Sequence, residues 1–201
     1  MFEQWFSQNK DVVTGWLRDL HEYPETGFEE VRTSAYVARL LTQFGLDVAT
    51  GIGGTGVVGT LYGRNATPAD TGRRIGIRAE LDALPMQEHS NVSHRSRIDG
   101  RFHGCGHDGH MVTALAAAAY LAKTRSFDGT LRFIFQPAEE LLTCARAMLE
   151  DGLFDRFPCD EIYALHNLPG LEPGQVAVPA TAALASADNI DIKVRANGTH
   201  G

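Results

Sequence analysis

The sequence predicts an α/β fold, a mostly parallel sheet flanked by helices. Two patterns carry that expectation. Stretches with apolar residues at helical spacing alternate with short β-branched runs, and glycine or polar turns separate them. Residues 3–21 read as the first helix, with Trp5, Phe6, Val12, Val13, Trp16, Leu17 and Leu20 on one apolar face. The segment His21-Glu-Tyr-Pro-Glu-Thr-Gly27 breaks it. Residues 29–44 form a second helix, stopped by Gly45. Residues 46–48, 55–61 and 74–79 follow as short strands. An alanine-rich helix spans 110–123, a strand 129–135, a helix 139–151 ending at Gly152, and another strand 161–165. The run Gly51-Ile-Gly-Gly-Thr-Gly56 matches a dinucleotide-binding fingerprint, but that fingerprint needs a helix directly after it. Val57-Val-Gly-Thr-Leu61 follows instead, so the run reads as a glycine turn between strands.

Residues 175–178 and 187–194 read as strands of another kind. Asp188-Asn-Ile-Asp-Ile-Lys-Val-Arg195 alternates apolar and polar side chains, as a strand with one wet face does. The expected division is a domain over 1–182 and the start of a second over 183–201.

Composition excludes several function classes. Apolar residues make up 43% and charged residues 21% of the 201, ordinary for a soluble globular protein. The formal net charge of −7 argues against nucleic-acid binding, which needs a basic face. No apolar run approaches a membrane span. The first ten residues carry neither a basic region nor an apolar core, so no secretory signal is expected. Three cysteines do not make a disulfide framework, and a reducing, cytoplasmic setting is expected.

The chemistry concentrates in Phe102-His-Gly-Cys-Gly-His-Asp-Gly-His110. Cys105 and His107 are two apart, so in an extended or turning segment both project to one side. Gly104, Gly106 and Gly109 let the backbone bend around a common point. Phe135-Gln-Pro-Ala-Glu-Glu140 places two carboxylates where a buried strand gives way to a helix, and His166 ends a later strand. Cys, His and Glu together form the ligand set of a borderline divalent metal such as zinc. One of Glu139 and Glu140 can bind metal while the other takes a proton from water. Asp108 either orients an imidazole or caps the helix that follows. His103 and His110 are candidates for contact with ligands or substrate, and His110 is alternatively just a residue of the first helical turn. Asp82 either holds an imidazole or pairs with Arg78, and Cys144 and Cys159 read as packing residues. Each candidate falls at a strand end or a helix start, the edge where ligands gather in open α/β sheets.

These motifs, in this order, resemble the M20 metallopeptidase clan in its amidohydrolase branch, which includes hippurate hydrolase, N-acyl-L-amino-acid amidohydrolases and auxin-conjugate hydrolases. The matching segments are Leu20–Glu30, Arg78–Pro85, His103–His110, Phe135–Glu140, His166–Gly170 and Asn197–Gly201. The resemblance implies a zinc-peptidase-like catalytic domain with the first strand of an α+β lid at its C-terminal side. It implies two divalent ions (manganese, zinc, cobalt or nickel) held by Cys105, His107, Glu140 and His166, with Cys105 bridging. It implies Glu139 as general base, Asp82 as a further catalytic residue, and His200 as the lid histidine that binds the oxyanion or the substrate. The implied reaction splits an N-acyl amino acid into a carboxylic acid and a free amino acid. The implied partner is that small substrate, in a homodimer.

Three departures stand out. Glu80 takes the place of the usual Asp, and Leu141-Leu-Thr-Cys144 replaces a glycine-rich stretch. Family members are also longer and return to supply another histidine ligand. An alternative expectation is therefore a metal-binding remnant without catalysis that acts only through self-association. A structural zinc module would leave the paired glutamates unexplained.

Overall fold

The structure, a computed structural model, describes residues 1–67, 72–182, 190 and 192–195. The chain divides into two units, Met1–Asn167 and Leu168–Gly201.

The first unit contains helices α1 (Phe2–Glu22), α2 (Val31–Gln43), α3 (His107–Thr124), α4 (Cys144–Glu150) and α5 (Leu153–Arg156). Its strands are β1 (Asp47–Ile52), β2 (Gly56–Tyr62), β3 (Arg74–Glu80), β4 (Thr130–Gln136) and β5 (Glu161–Ala164). They form one sheet in the order β1-β2-β4-β3-β5. β3 pairs in parallel with both β4 and β5. The β1–β2 hairpin joins β4 antiparallel. The α/β expectation holds, and the glycine run 51–56 is the hairpin turn that the sequence predicted.

The inner strands bury both faces. Along β2, Val57 and Leu61 pack in the cluster with α1, α2 and α3, while Val58 packs in the cluster with Met148 of α4 and Leu153 of α5. Along β4, Phe133 and Phe135 face the first cluster and Ile134 the second. Alternation along a strand divides the side chains between two helical layers. Burying one side chain such as the fully enclosed Phe133 contributes about 1.5–3 kcal/mol.

Several boundaries differ from expectation, beginning with β1, which runs on to Ile52 where the sequence predicted a strand ending at residue 48. α3 begins at His107 rather than 110, because Gly106 at φ 90° turns the chain into the helix earlier. The helix expected over 139–151 is interrupted: a 3-10 turn covers Glu139–Leu141, Leu142 takes φ 58°, and α4 starts only at Cys144. Left-handed backbone at Leu142 cannot continue a right-handed helix. The strand expected over 175–178 is irregular chain, with Val176 and Val178 exposed, so these side chains find no sheet face to bury against. The strand expected over 187–194 lies largely outside the described residues, as does His200.

The order of strands fixes where a site forms. From β3 the chain crosses through α3 to β4 on one side, and from β4 it crosses to β5 on the other. The carboxyl ends of β3, β4 and β5 thus meet at a switch point.

Candidate metal centre

Each element delivers its residues to that switch point. The segment after β3 supplies Asp82, the turn leading into α3 supplies Cys105 and the first residue of α3 is His107, the turn after β4 supplies Glu139 and Glu140, and the segment after β5 supplies His166. Gly106 is needed between Cys105 and His107. Its φ is 90°, and a Cβ there would lie 2.5 Å from Asn167 Oδ1.

His107 is almost fully buried, and its Nδ1–H donates to the backbone carbonyl of Asp82 at 2.7 Å. That bond assigns a proton to Nδ1, and in the neutral ring it leaves Nε2 as a lone pair. Nε2 lies 3.8 Å from Glu139 Oε2 and 3.8 Å from Glu140 Oε1. His166 repeats the arrangement: Nδ1–H donates to the Asn167 carbonyl at 2.7 Å, and Nε2 faces Cys105 Sγ at 3.4 Å. Metal-ligating imidazoles are oriented in this way, by a bond from the other ring nitrogen.

The donor set fits a divalent cation. Buried polar atoms are nearly always paired. Here His107 Nε2 and Glu140 Oε1 are buried without a hydrogen-bond partner and face each other. Two groups, Cys105–His107–His166 and His107–Glu139–Glu140, bring their ligand atoms within 4.8 Å of one another. Bonds of about 2.0–2.3 Å in a tetrahedral site space the ligands about 3.3–3.8 Å apart, so the separations of 3.4 and 3.8 Å suit shared ions. A third group, Glu80–His107–His110, meets the same distance but differs in kind. Both His110 nitrogens are engaged, Nδ1 with Glu80 at 2.8 Å and Nε2 with Asn167 at 2.7 Å.

Electrostatics point the same way. Burial, then Glu140, Glu139 and Glu80, push the Cys105 thiol up to about 12. Burial and the neighbouring Glu140 raise the Glu139 carboxyl, against the opposing pull of His107. A cation among these groups would relieve all of those repulsions. Burial works to raise Asp82, yet the bonds from His107 and from the Glu140 backbone N–H win and hold it below its ordinary value.

Several sequence expectations change at this point. Asp82 lies fully buried behind His107, and its Oδ2 accepts the Glu140 N–H at 3.0 Å. Its side chain thus touches His107 and the turn that carries Glu140, in keeping with the reading of a carboxylate that holds an imidazole. Arg78 pairs with Glu80 rather than Asp82, and the extra methylene of Glu80 carries its other oxygen to His110. Asp108 neither caps α3 nor holds a candidate ligand: Gly106 is the cap position, and Asp108 Oδ2 meets His21 Nδ1 at 2.6 Å. His21 also reaches Glu88 at 3.3 Å, and the Asp108 bond leads in raising its pKa. His103 is buried with neither ring nitrogen bonded. Sequence reasoning missed His21, Glu88 and Asn167. The break after His21 marks a helix end and carries no sign of a partner 87 positions away.

Fold and donor set together define a class, and the chain belongs to it: the peptidase family M20/M25/M40, whose sequence profile matches residues 76–199. Among named proteins, the hippurate hydrolase of Campylobacter jejuni is 44% identical over 182 residues, which cover 90% of this chain and 46% of that protein. N-acetylcysteine deacetylase of Bacillus subtilis is 38% identical over 185 residues, 91% of this chain and 47% of that protein. The solved YXEP protein of Bacillus subtilis, a dinuclear metal binding peptidase of the M20 family, matches with a TM-score of 0.73 and 39% identity over 80% of this chain and 44% of that one. The chain spans about half the length of the curated relatives it matches. Among the described residues, no helix is long and apolar enough to cross a membrane.

Proposed function

We propose that this chain carries the metal site of a metal-dependent amidohydrolase that cleaves an N-acyl amino acid into a carboxylic acid and a free amino acid. The observation that carries the reading is the buried, unpartnered pair His107 Nε2 and Glu140 Oε1, with Glu139 beside them. The names of the two relatives, each referring to an acylated amino acid, support the substrate class.

Cys105, His107, Glu140 and His166 would hold two divalent ions, and manganese, zinc, cobalt and nickel all suit these donors. Bound there, such ions polarise a scissile carbonyl and acidify water. Glu139 does the proton work. Its carboxylate takes a proton from the attacking water and gives it to the leaving nitrogen, and a raised pKa suits a group that must serve as base and then as acid. The Asp82 carbonyl holds His107 with its proton on Nδ1, so the other nitrogen always faces the site. His200 enters on the family resemblance alone, as an oxyanion-binding group from a lid beginning near residue 183. So do the homodimer and the cytoplasmic setting.

The test is amino-acid release from hippurate and N-acetyl amino acids with added Mn²⁺, Co²⁺ or Zn²⁺, beside Glu139→Gln. The expected result is metal-dependent release that falls by about 10²-fold or more in Glu139→Gln while metal stays bound. Release indifferent to chelation or to Glu139→Gln would overturn the reading.

One observation favours a second reading, metal binding without turnover and action through self-association. Among the described residues β5 pairs with β3 alone, and Ile162 and Tyr163 are exposed along it, with Leu165 exposed just beyond. An open apolar edge is a template for pairing. Concentration-dependent assembly without turnover would select this reading, and an active, monodisperse chain would remove it.

A further inference from the structure

Glu30 is a fully buried carboxyl, 0% exposed, that the chemistry above does not use. It sits at the cap position of α2 but makes no side-chain cap bond there. Its Oε1 accepts the backbone N–H of Ala138 at 2.7 Å, across 108 positions of sequence. Its Oε2 accepts the Thr55 hydroxyl at 2.6 Å, in the β1–β2 turn. Both partners are uncharged. A carboxyl buried among uncharged partners is a costly way to fill space. Burial raises its pKa, and the bonds from Thr55 and Ala138 pull against that. The position demands another explanation than packing.

Ala138 supplies one. It has φ 48° and ψ 41°, left-handed backbone in a residue that is not glycine, directly before Glu139 and Glu140. Such a residue costs about 1–2 kcal/mol and persists only where its surroundings hold it. Gly27 lies against it so closely that a Cβ on Gly27 would come within 2.9 Å of the Ala138 Cβ. The amide two residues on, Glu140 N–H, is held by Asp82 at 3.0 Å. Two buried carboxylates from separate parts of the chain thus grip alternate amides of one strained turn.

We infer that Glu30 is a positioning residue for the metal centre: by holding the Ala138 amide it fixes the turn that aims Glu139 and Glu140 at His107. The inference rests on the reading of Glu140 as a metal ligand. Substrate and metal need never touch Glu30. Its influence passes through the backbone of residue 138, whose dihedrals decide the direction of the next two side chains.

The experiment is Co²⁺ binding by the whole chain, followed by the visible spectrum of the bound ion and by competition with a chelator. The variants are Glu30→Met, Glu30→Gln, Thr55→Val and Glu140→Ala, each checked for folding by circular dichroism. Glu30→Met keeps the length and accepts no hydrogen bond, and is expected to weaken Co²⁺ binding about tenfold or more. Glu30→Gln retains an oxygen for the Ala138 amide and is expected to stay within about threefold. In the Glu140→Ala background, Glu30→Met should add no further loss, because the ligand it aims is gone. A merely structural role would leave the two losses additive, which would overturn the inference. If Glu30→Met fails to fold, Thr55→Val carries the test: about a threefold loss is expected, absent in the Glu140→Ala background, and no loss would overturn the inference. Failure of the unsubstituted chain to bind Co²⁺, or unchanged binding by Glu140→Ala, would overturn the metal reading and this inference with it. Loss in Glu140→Ala with no effect of either Glu30→Met or Thr55→Val would overturn this inference alone.

Discussion

Replacing Asp82 by alanine separates what its side chain does from what its backbone does. The residue is completely buried, and its Oδ2 is the acceptor for the Glu140 N–H at 3.0 Å. In Asp82→Ala that amide is left unpaired, at a cost of about 1–3 kcal/mol. For a chain of this size each kcal/mol lowers Tm by about 2–4 °C, so a loss of about 2 kcal/mol should lower it by about 4–8 °C. The backbone carbonyl of residue 82 survives the substitution, so His107 keeps its 2.7 Å bond and its Nδ1 proton. What His107 loses is the carboxylate oxygen 3.4 Å from Nδ1, which makes the imidazole a stronger ligand. Such partners typically contribute about 10–100-fold in metal affinity. Isothermal titration with Zn²⁺ or Co²⁺, beside thermal melts of the metal-free chain, reads both numbers. Asp82→Asn divides them further. Its amide oxygen can still accept the Glu140 N–H, so Tm should recover while affinity stays about tenfold low. Affinity within about threefold of the original in Asp82→Ala would refute the argument that this carboxylate supports the site.

Three further outcomes are expected. The Cys105 thiol, pushed up to about 12, is protonated at neutral pH, so metal taken up by the thiolate should release about one proton; weakly buffered metal titrations should show that release vanish in Cys105→Ser. Burial lowers His103 from 6.5 to about 4, so the native chain refuses a proton that the unfolded chain accepts. The stability linked to it is full above pH 6.5 and is lost as pH falls towards 4, so urea unfolding of the metal-free chain should show the original lose stability relative to His103→Leu over that window. Leu142 sits at φ 58° and ψ 15°, where glycine carries no steric penalty. Leu142→Gly should raise stability by about 0.5–1 kcal/mol in chemical denaturation, and a loss of more than that would mean that the leucine side chain is holding the turn.

What could be read in the sequence was what depends on neighbours along the chain. The β-branched run of β2, the alanine-rich α3 and the dense Cys/His segment all declare themselves within a few residues. So did the convergence of Cys105, His107, Glu139, Glu140 and His166, since each falls at a strand end or a helix start in an α/β pattern. What escaped depends on distant contacts. Leucine is a good helix former, so nothing local marks Leu142 as the point where the helix expected over 139–151 breaks. The turn just before it is tied to distant parts of the chain, its Ala138 amide to Glu30 and its Glu140 amide to Asp82. The long segment between β3 and α3 has no periodicity to read. It is fixed by bridges from Thr26 to Ala83 and from Leu84 to Phe102. The sequence likewise offers Asp108 an imidazole to orient but gives no sign that it is His21, or that Glu88 joins them.

The pairing of β3 with β4 places Glu80 opposite Gln136. A slip of one position between these strands would turn Ala79 and Leu81 into the places now held by Glu80 and Asp82. Hydrocarbon would then stand where an oxygen is required: His107 would lose the carboxylate beside its Nδ1, and His110 the one that holds its own Nδ1. Ion capture at such a centre would therefore report on folding: the ligands converge only once the strands have paired in step, and a bound ion would in turn withdraw the chain from the unfolded pool.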